Sequence, residues 1–258
     1  MKAWLTHLLR TQVVVVGLSI AVIALTETPA FSDPPAAIRH VALWRSTEGR
    51  LTLLKGGQGV LIKAPVFNQF PQYHNGCEVT SLSMLLNYEQ VHVDKLTLGA
   101  QVKRTTAPLV TNASGTIVSW GNPNVGFVGN MSGMKPGYGV YHAPIAALMR
   151  KYLPHDTLDL TGAPFASVLA VLRTGRPVIV WTTVTFSPDV PWVVWQSPQG
   201  PVRATMYEHA VLLVGYDATD VYVNNPLGGI AQEPVPITAF RASWDAMGRQ
   251  AITVIYNR

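Results

Sequence analysis

Residues 67–88 read FNQFPQYHNGCEVTSLSMLLNY, and the change of pattern inside this stretch decides how the chain folds. Up to Gly76 it is broken by proline, asparagine and glycine, and Asn75-Gly76 makes a turn. From Cys77 onward apolar residues recur at helical spacing through Val79, Leu82 and Leu86, which predicts a helix from Cys77 to Tyr88 that the cysteine opens. A thiol in the first turn of a helix meets unpaired N–H groups and the positive end of the helix dipole, both of which favour thiolate. Gly76 just before it leaves room for a substrate backbone. The commoner fate of a free cysteine is that of a small buried hydrophobe, so position alone leaves the role of Cys77 open.

Working outward, the Leu51 to Phe67 segment alternates around a GGQG turn and reads as short strands. Asp94 and Leu96 begin a second short helix, and Ala107 to Tyr141, rich in Gly, Asn and Pro, is a long irregular segment. Pro144 stands where a first helical turn tolerates proline, ahead of Ile145, Leu148 and Met149, and Phe165 to Leu172 repeats the helical pattern. Beyond Pro177 the pattern becomes that of strands: VIVWTTV, PWVVW, HAVLLVGY, VYVN and AITVIY. Helices first and sheet second predict an α+β fold with an antiparallel sheet, and a site between the two halves.

A base for Cys77 is sought among seven histidines. His209 differs from the rest because it begins the strand HAVLLVGYD, whose alternation fixes the imidazole at the strand's end. A reversal near Asp217 brings Val221 to Asn225 back beside it at a separation of ~4.8 Å, so that Asn225 lies across from His209 to within two residues. An amide oxygen there accepts from one ring nitrogen and turns the other toward Cys77.

Composition narrows the function classes. The chain has 258 residues, 48% hydrophobic and 13% charged, which fits one compact unit and not a disordered polymer. A single cysteine excludes a disulfide framework, and no H-E-x-x-H pattern or Gly-rich phosphate loop occurs, so no metal or other cofactor is expected. The net charge of +5 is scattered without a basic run, so no nucleic-acid partner is expected. Lys2 and Arg10 precede the apolar run Val13 to Leu25, thirteen residues against the ~20 that span a bilayer. With small residues at Ala30 and Ser32, this is the profile of a signal peptide over residues 1–32, cleaved before Asp33. The expectation is therefore a secreted or envelope protein with no stable membrane span, a 33–59 extension with short strands, and a domain over 60–258.

The residues also resemble those of a known family. The stretch around Cys77, WGNPNVGFVGN from Trp120, GYGVYHAPIAALMRKY from Gly137, GRPVIVW from Gly175, and EHAVLLVGYD followed by VYVNNP are similar to papain-like cysteine peptidases of the bacteriocin double-glycine leader peptidase type. That resemblance implies a papain-like fold, with a helical N-terminal half carrying Cys77 and an antiparallel β-sheet half carrying His209. It implies a peptide or protein substrate, with Cys77 as nucleophile, His209 as general base and Asn225 as the residue that orients the histidine. Gln69 would supply an oxyanion donor with the Cys77 backbone N–H, although Gln72 lies nearer in sequence and leaves that assignment open. The family usually has Asp where this chain has Asn225, so an aspartate there is expected to serve at least as well. The resemblance implies peptide hydrolysis through a thioester. Acyl transfer to an amine and peptide binding without catalysis are the alternatives on the same scaffold.

Overall fold

The computed structural model describes residues 50–54 and 59–255. The signal-peptide reading, most of the 33–59 extension and most of the GGQG turn lie outside these residues. Helix α1 (Cys77–Tyr88) begins at the expected residue, and every residue in it except Asn87 is buried. A helix enclosed on all sides must satisfy its polar side chains internally. Here Thr80 Oγ1 donates to the Gly76 carbonyl at 2.7 Å, Ser81 Oγ to that of Ala210 at 3.2 Å, and Ser83 Oγ to that of Val93 at 2.7 Å. Helix α2 (Lys95–Gln101) starts at Asp94, whose side chain accepts from the Thr97 N–H. Helices α3 (His142–Met149) and α4 (Phe165–Arg173) follow, the latter entered from Pro164.

The main sheet forms around one long strand. Strands β1 (Leu51–Leu53) and β2 (Val60–Ile62) pair with each other, and the short β5 (Thr157–Asp159) edges the far side. Between them lie β6 (Val178–Thr183), β9 (Glu208–Tyr216) and β12 (Ala251–Val254), with β10 (Asp220–Asn225) and β11 (Ile230–Pro236) as a flap beside β9. All pairs in this sheet are antiparallel. Leu212 and Leu213 pair with β6 on one edge and β10 on the other, whereas Gly215 and Tyr216 pair with β2 and β10. Strands β2 and β6 therefore share one edge of β9, and β10 takes the other. All nine residues of β9 and all six of β6 are buried, as expected where both faces of a sheet are covered.

A second sheet orders β3 (Val110–Thr111), β4 (Ile117–Ser119), β7 (Val193–Ser197) and β8 (Gly200–Ala204). It buries Trp195, which packs on Trp120 and Tyr138 with ring centroids 5.8 and 5.2 Å apart and donates from Nε1 to the Gly121 carbonyl. The aromatic hairpin thus packs on its own sheet through Trp195, while Trp192 lies under the Arg203 guanidinium at 3.7 Å.

The fold is α+β but departs from helices first and sheet second: β3 and β4 form within the stretch from Ala107 to Tyr141 expected to be irregular, β5 lies between α3 and α4, and a last helix falls among the strands. Helix α5 (Ile237–Ala246) lies between β11 and β12, and its Phe240 and Trp244 pack on Phe165 of α4 at 6.1 and 5.5 Å. Leu212, enclosed between β6 and β10, is the direct test of this core. Leu212→Ala is expected to cost about 2–5 kcal/mol in urea unfolding, whereas Leu53→Ala, at an exposed position, should stay within about 0.5 kcal/mol.

Candidate active site

His209 and Asn225 meet as the strand register requires. Side chains of alternate residues share a face, and Val223 stands opposite Leu213, so positions 209, 211 and 213 share a face with 223 and 225. His209 Nε2 lies 2.8 Å from Asn225 Oδ1, and both residues are buried. The amide has a fixed orientation, because its Oδ1 also accepts from the Leu227 N–H at 2.9 Å and its Nδ2 donates to Glu233 Oε2 at 2.8 Å. A backbone N–H only donates and a carboxylate only accepts, so the amide cannot be reversed. It follows that His209 carries its proton on Nε2 and leaves Nδ1 as a free base. Burial pushes the imidazole down to about 4, the Asn225 hydrogen bond opposing the shift, so the ring is neutral at neutral pH.

Glu233 was not singled out in the sequence, and it changes the expectation for Asn225. An aspartate at 225 would set a carboxylate against the Glu233 carboxylate where the amide now donates. The uncharged amide is the side chain that bridges imidazole and carboxylate in this arrangement.

Cys77 lies at the N-terminus of α1, which packs on β9 and β6. The Ala210 backbone N–H, one residue beyond His209, faces the thiol. Among the described residues Cys77 and His209 share no hydrogen bond; the thiol instead lies against the Glu78 carboxyl, with Glu208 alongside. Burial pushes the thiol well up, and the charges of Glu78 and Glu208 add to the shift. This corrects the expected preference for thiolate: the helix start is present, but enclosure and two acidic neighbours outweigh it. Cys77 and His209 both rest neutral.

Gln69 is buried, with Nε2 donating to the His74 carbonyl at 2.7 Å, whereas Gln72 is exposed. The backbone of Gln69 ties the loop to its surroundings: its N–H donates to the Pro226 carbonyl beside Asn225, and its carbonyl accepts from Tyr73 N. Lys95 Nζ from α2 donates to the carbonyls of Asn68, Gln69 and Phe70 at 2.5, 2.8 and 3.3 Å. The space beside Gly76 proves to belong to Tyr73: a Cβ on Gly76 would sit 2.6 Å from that side chain, so the glycine makes room for a packed ring rather than for a substrate. His142 is the first residue of α3, and its Nδ1 contacts Asp159 of β5 at 2.6 Å.

Comparison with known proteins gives a consistent family. The model of the Peptidase_C39 like family matches residues 61–252. The chain is 42% identical over 191 residues to the Bacillus subtilis (strain 168) protein YvpB, described as uncharacterized, covering 73% of each chain. It also superposes on a Bacillus anthracis crystal structure described as that of a C39-like peptidase, with TM-score 0.69 and 38% identity over 76% of this chain and 96% of the other. With a match that spans most of its length and a fold shared with a solved relative, the chain belongs to the Peptidase_C39 like family.

Proposed function

We propose that the protein is an exported cysteine peptidase that cleaves peptide or isopeptide bonds through a thioester on Cys77. The observation that carries this reading is the fixed tautomer of His209, whose free Nδ1 is a base one residue away from the backbone N–H that faces the thiol. In the reaction Sγ adds to the scissile carbonyl as the thiol proton passes to Nδ1. The tetrahedral intermediate then collapses, the C–N bond breaks, and the amine leaves with that proton. Water, deprotonated by His209, attacks the thioester and releases the acid and the thiol. The second N–H of the Gln69 amide and the Cys77 backbone N–H are the donors available to the oxyanion; loss of one such donor typically costs about 10²–10³ in rate. Support for export comes from Lys2, Arg10 and the apolar run Val13–Leu25. Among the described residues, no helix is long and apolar enough to cross a membrane.

Digestion of a peptide library by the protein in reducing buffer, with Cys77→Ala as control, tests the activity. The variant should fold with an apparent Tm within a few degrees of wild type and lose turnover; comparable turnover in the two proteins would end the peptidase reading.

Because base and thiol rest neutral, the acid limb of kcat/KM should fall near pH 4, the value to which burial lowers His209, and not near the ordinary histidine value of 6.5. Alkylation of Cys77 by iodoacetamide in the free enzyme should be slow at neutral pH and accelerate only under alkaline conditions. A rate already maximal in mild acid would show a preformed thiolate–imidazolium pair.

Asn225→Asp should lower kcat/KM by about tenfold or more, equivalent to ~1.4 kcal/mol of barrier, because of the opposed Glu233 carboxylate. Adding Glu233→Gln should recover most of the loss, since the new amide donates to the aspartate. Kinetics of the two single variants and the double variant form the cycle that decides it.

A further inference from the structure

The two acidic residues beside the reactive pair have a shared position. Glu78 follows Cys77 in α1, and Glu208 precedes His209 in β9. The Cys77 sulfur and one carboxylate oxygen from each of Glu78 and Glu208 lie within 4.8 Å of one another, and all three residues are buried. Glu78 Oε1 accepts from the Val140 N–H at 2.6 Å, and the Val140 carbonyl accepts from Trp181 Nε1 of β6 at 2.9 Å. Gly139 lets the backbone pass over both carboxyls, since a Cβ there would contact Glu78 Oε1 and sit 2.8 Å from Glu208 Oε2.

Two of these carboxyl oxygens lack a donor. Glu78 Oε2 and Glu208 Oε1 are buried without a hydrogen-bond partner among the described residues. Two ionised carboxylates only accept, so they cannot satisfy each other, and at this separation in a buried site they repel. Around them stand Cys77 from α1, Tyr138 and Tyr141 from the segment ahead of α3, His209 next along β9, and Thr183, which pairs with Glu208 from β6. Among the described residues no lysine or arginine acts on either carboxyl. The smallest cation that supplies both charge and donor is a proton.

We propose that Glu78 and Glu208 share one proton and so form a clamp that holds the nucleophile helix to the base strand. Each member is joined by one peptide bond to a reacting residue, so the clamp sets the distance between Cys77 and His209 without touching substrate. It is a positioning pair, and its role in turnover rests on the peptidase reading above. Desolvation raises both carboxyls above the ordinary glutamate range, and their mutual charge adds to Glu208, consistent with retention of the proton at neutral pH.

The sign of the stability effect follows from those raised values. The folded state binds more protons than the unfolded chain, so the stability due to the pair is complete below the ordinary glutamate value and is lost as pH rises through the folded values. In Glu208→Gln the carboxamide donates permanently to Glu78 and the proton is no longer needed. The deciding experiment compares wild type, Glu208→Gln and Glu208→Leu by urea unfolding and by kcat and KM, each from mildly acidic to alkaline pH, with metal content measured on the purified proteins. The expected result has three parts: the alkaline fall in wild-type stability flattens in Glu208→Gln; the alkaline limb of kcat moves to higher pH in that variant; and Glu208→Leu loses kcat about tenfold or more at every pH with KM little changed. A Glu208→Gln variant as impaired as Glu208→Leu, an unaltered alkaline fall in its stability, or a stoichiometric metal ion in wild type that Glu208→Gln lacks would each overturn the shared proton. If no peptide is hydrolysed at any pH, the unfolding curves still decide whether the proton is shared, and only the peptidase reading is lost.

Discussion

The complete enclosure of α1 is the constraint on which the rest of the structure depends. An ordinary surface helix is located by its apolar stripe and keeps some freedom to slide and rotate. Here Glu78, Thr80, Ser81 and Ser83 are all buried; Thr80 bonds back to its own helix cap at Gly76, whereas Glu78, Ser81 and Ser83 bond outward to Val140, Ala210 and Val93. Leaving one buried polar group unpaired costs about 1–3 kcal/mol, so these bonds fix both the height of the helix against β9 and its rotation. The first residue of that helix is Cys77, and the accuracy of its placement is inherited from side chains farther along.

On the strand side the same accuracy comes from β9 being paired on both edges. Register in a sheet is all or nothing, because a slip of one residue turns every side chain to the other face. With β6 on one edge and β10 on the other, His209 and Asn225 are held on one face by the backbone ladder, in which His209 pairs with Thr182 of β6 and Val223 with Leu213 of β9. The fixed amide at 225 then converts register into chemistry by selecting which nitrogen of the imidazole is free.

Much of this was legible in the chain. The period of 3.6 from Cys77, the proline in the first turn of α3 and the apolar runs of β6, β9 and β10 are dense local signals, and they located Cys77, His209 and Asn225. Strands β8 and β11 were missed because each contains proline, Pro201 in one and Pro234 and Pro236 in the other, which argues against a strand unless it lies at an edge. Helix α5 follows directly on that proline-rich strand, and its one clear signal was the spacing of Phe240 and Trp244. The three glutamates differ in kind. Glu78 and Glu208 stand inside otherwise apolar runs, a visible anomaly, whereas Glu233 pairs with Val223 and reaches Asn225 diagonally across the β10–β11 ladder, a register that no local pattern encodes.

The ammonium of Lys95 has a wider meaning than its three bonds suggest. A lysine head group has three donors, and here three successive carbonyls of the segment that carries Gln69 converge on it. That segment has no regular secondary structure to order it, so the ammonium on a neighbouring helix joins the bonds of Gln69 to Pro226, Tyr73 and His74 in restraining its conformational entropy. Chemistry that neutralises a surface amine, such as acetylation, would therefore reach the loop ahead of Cys77 without any change in the residues around the thiol.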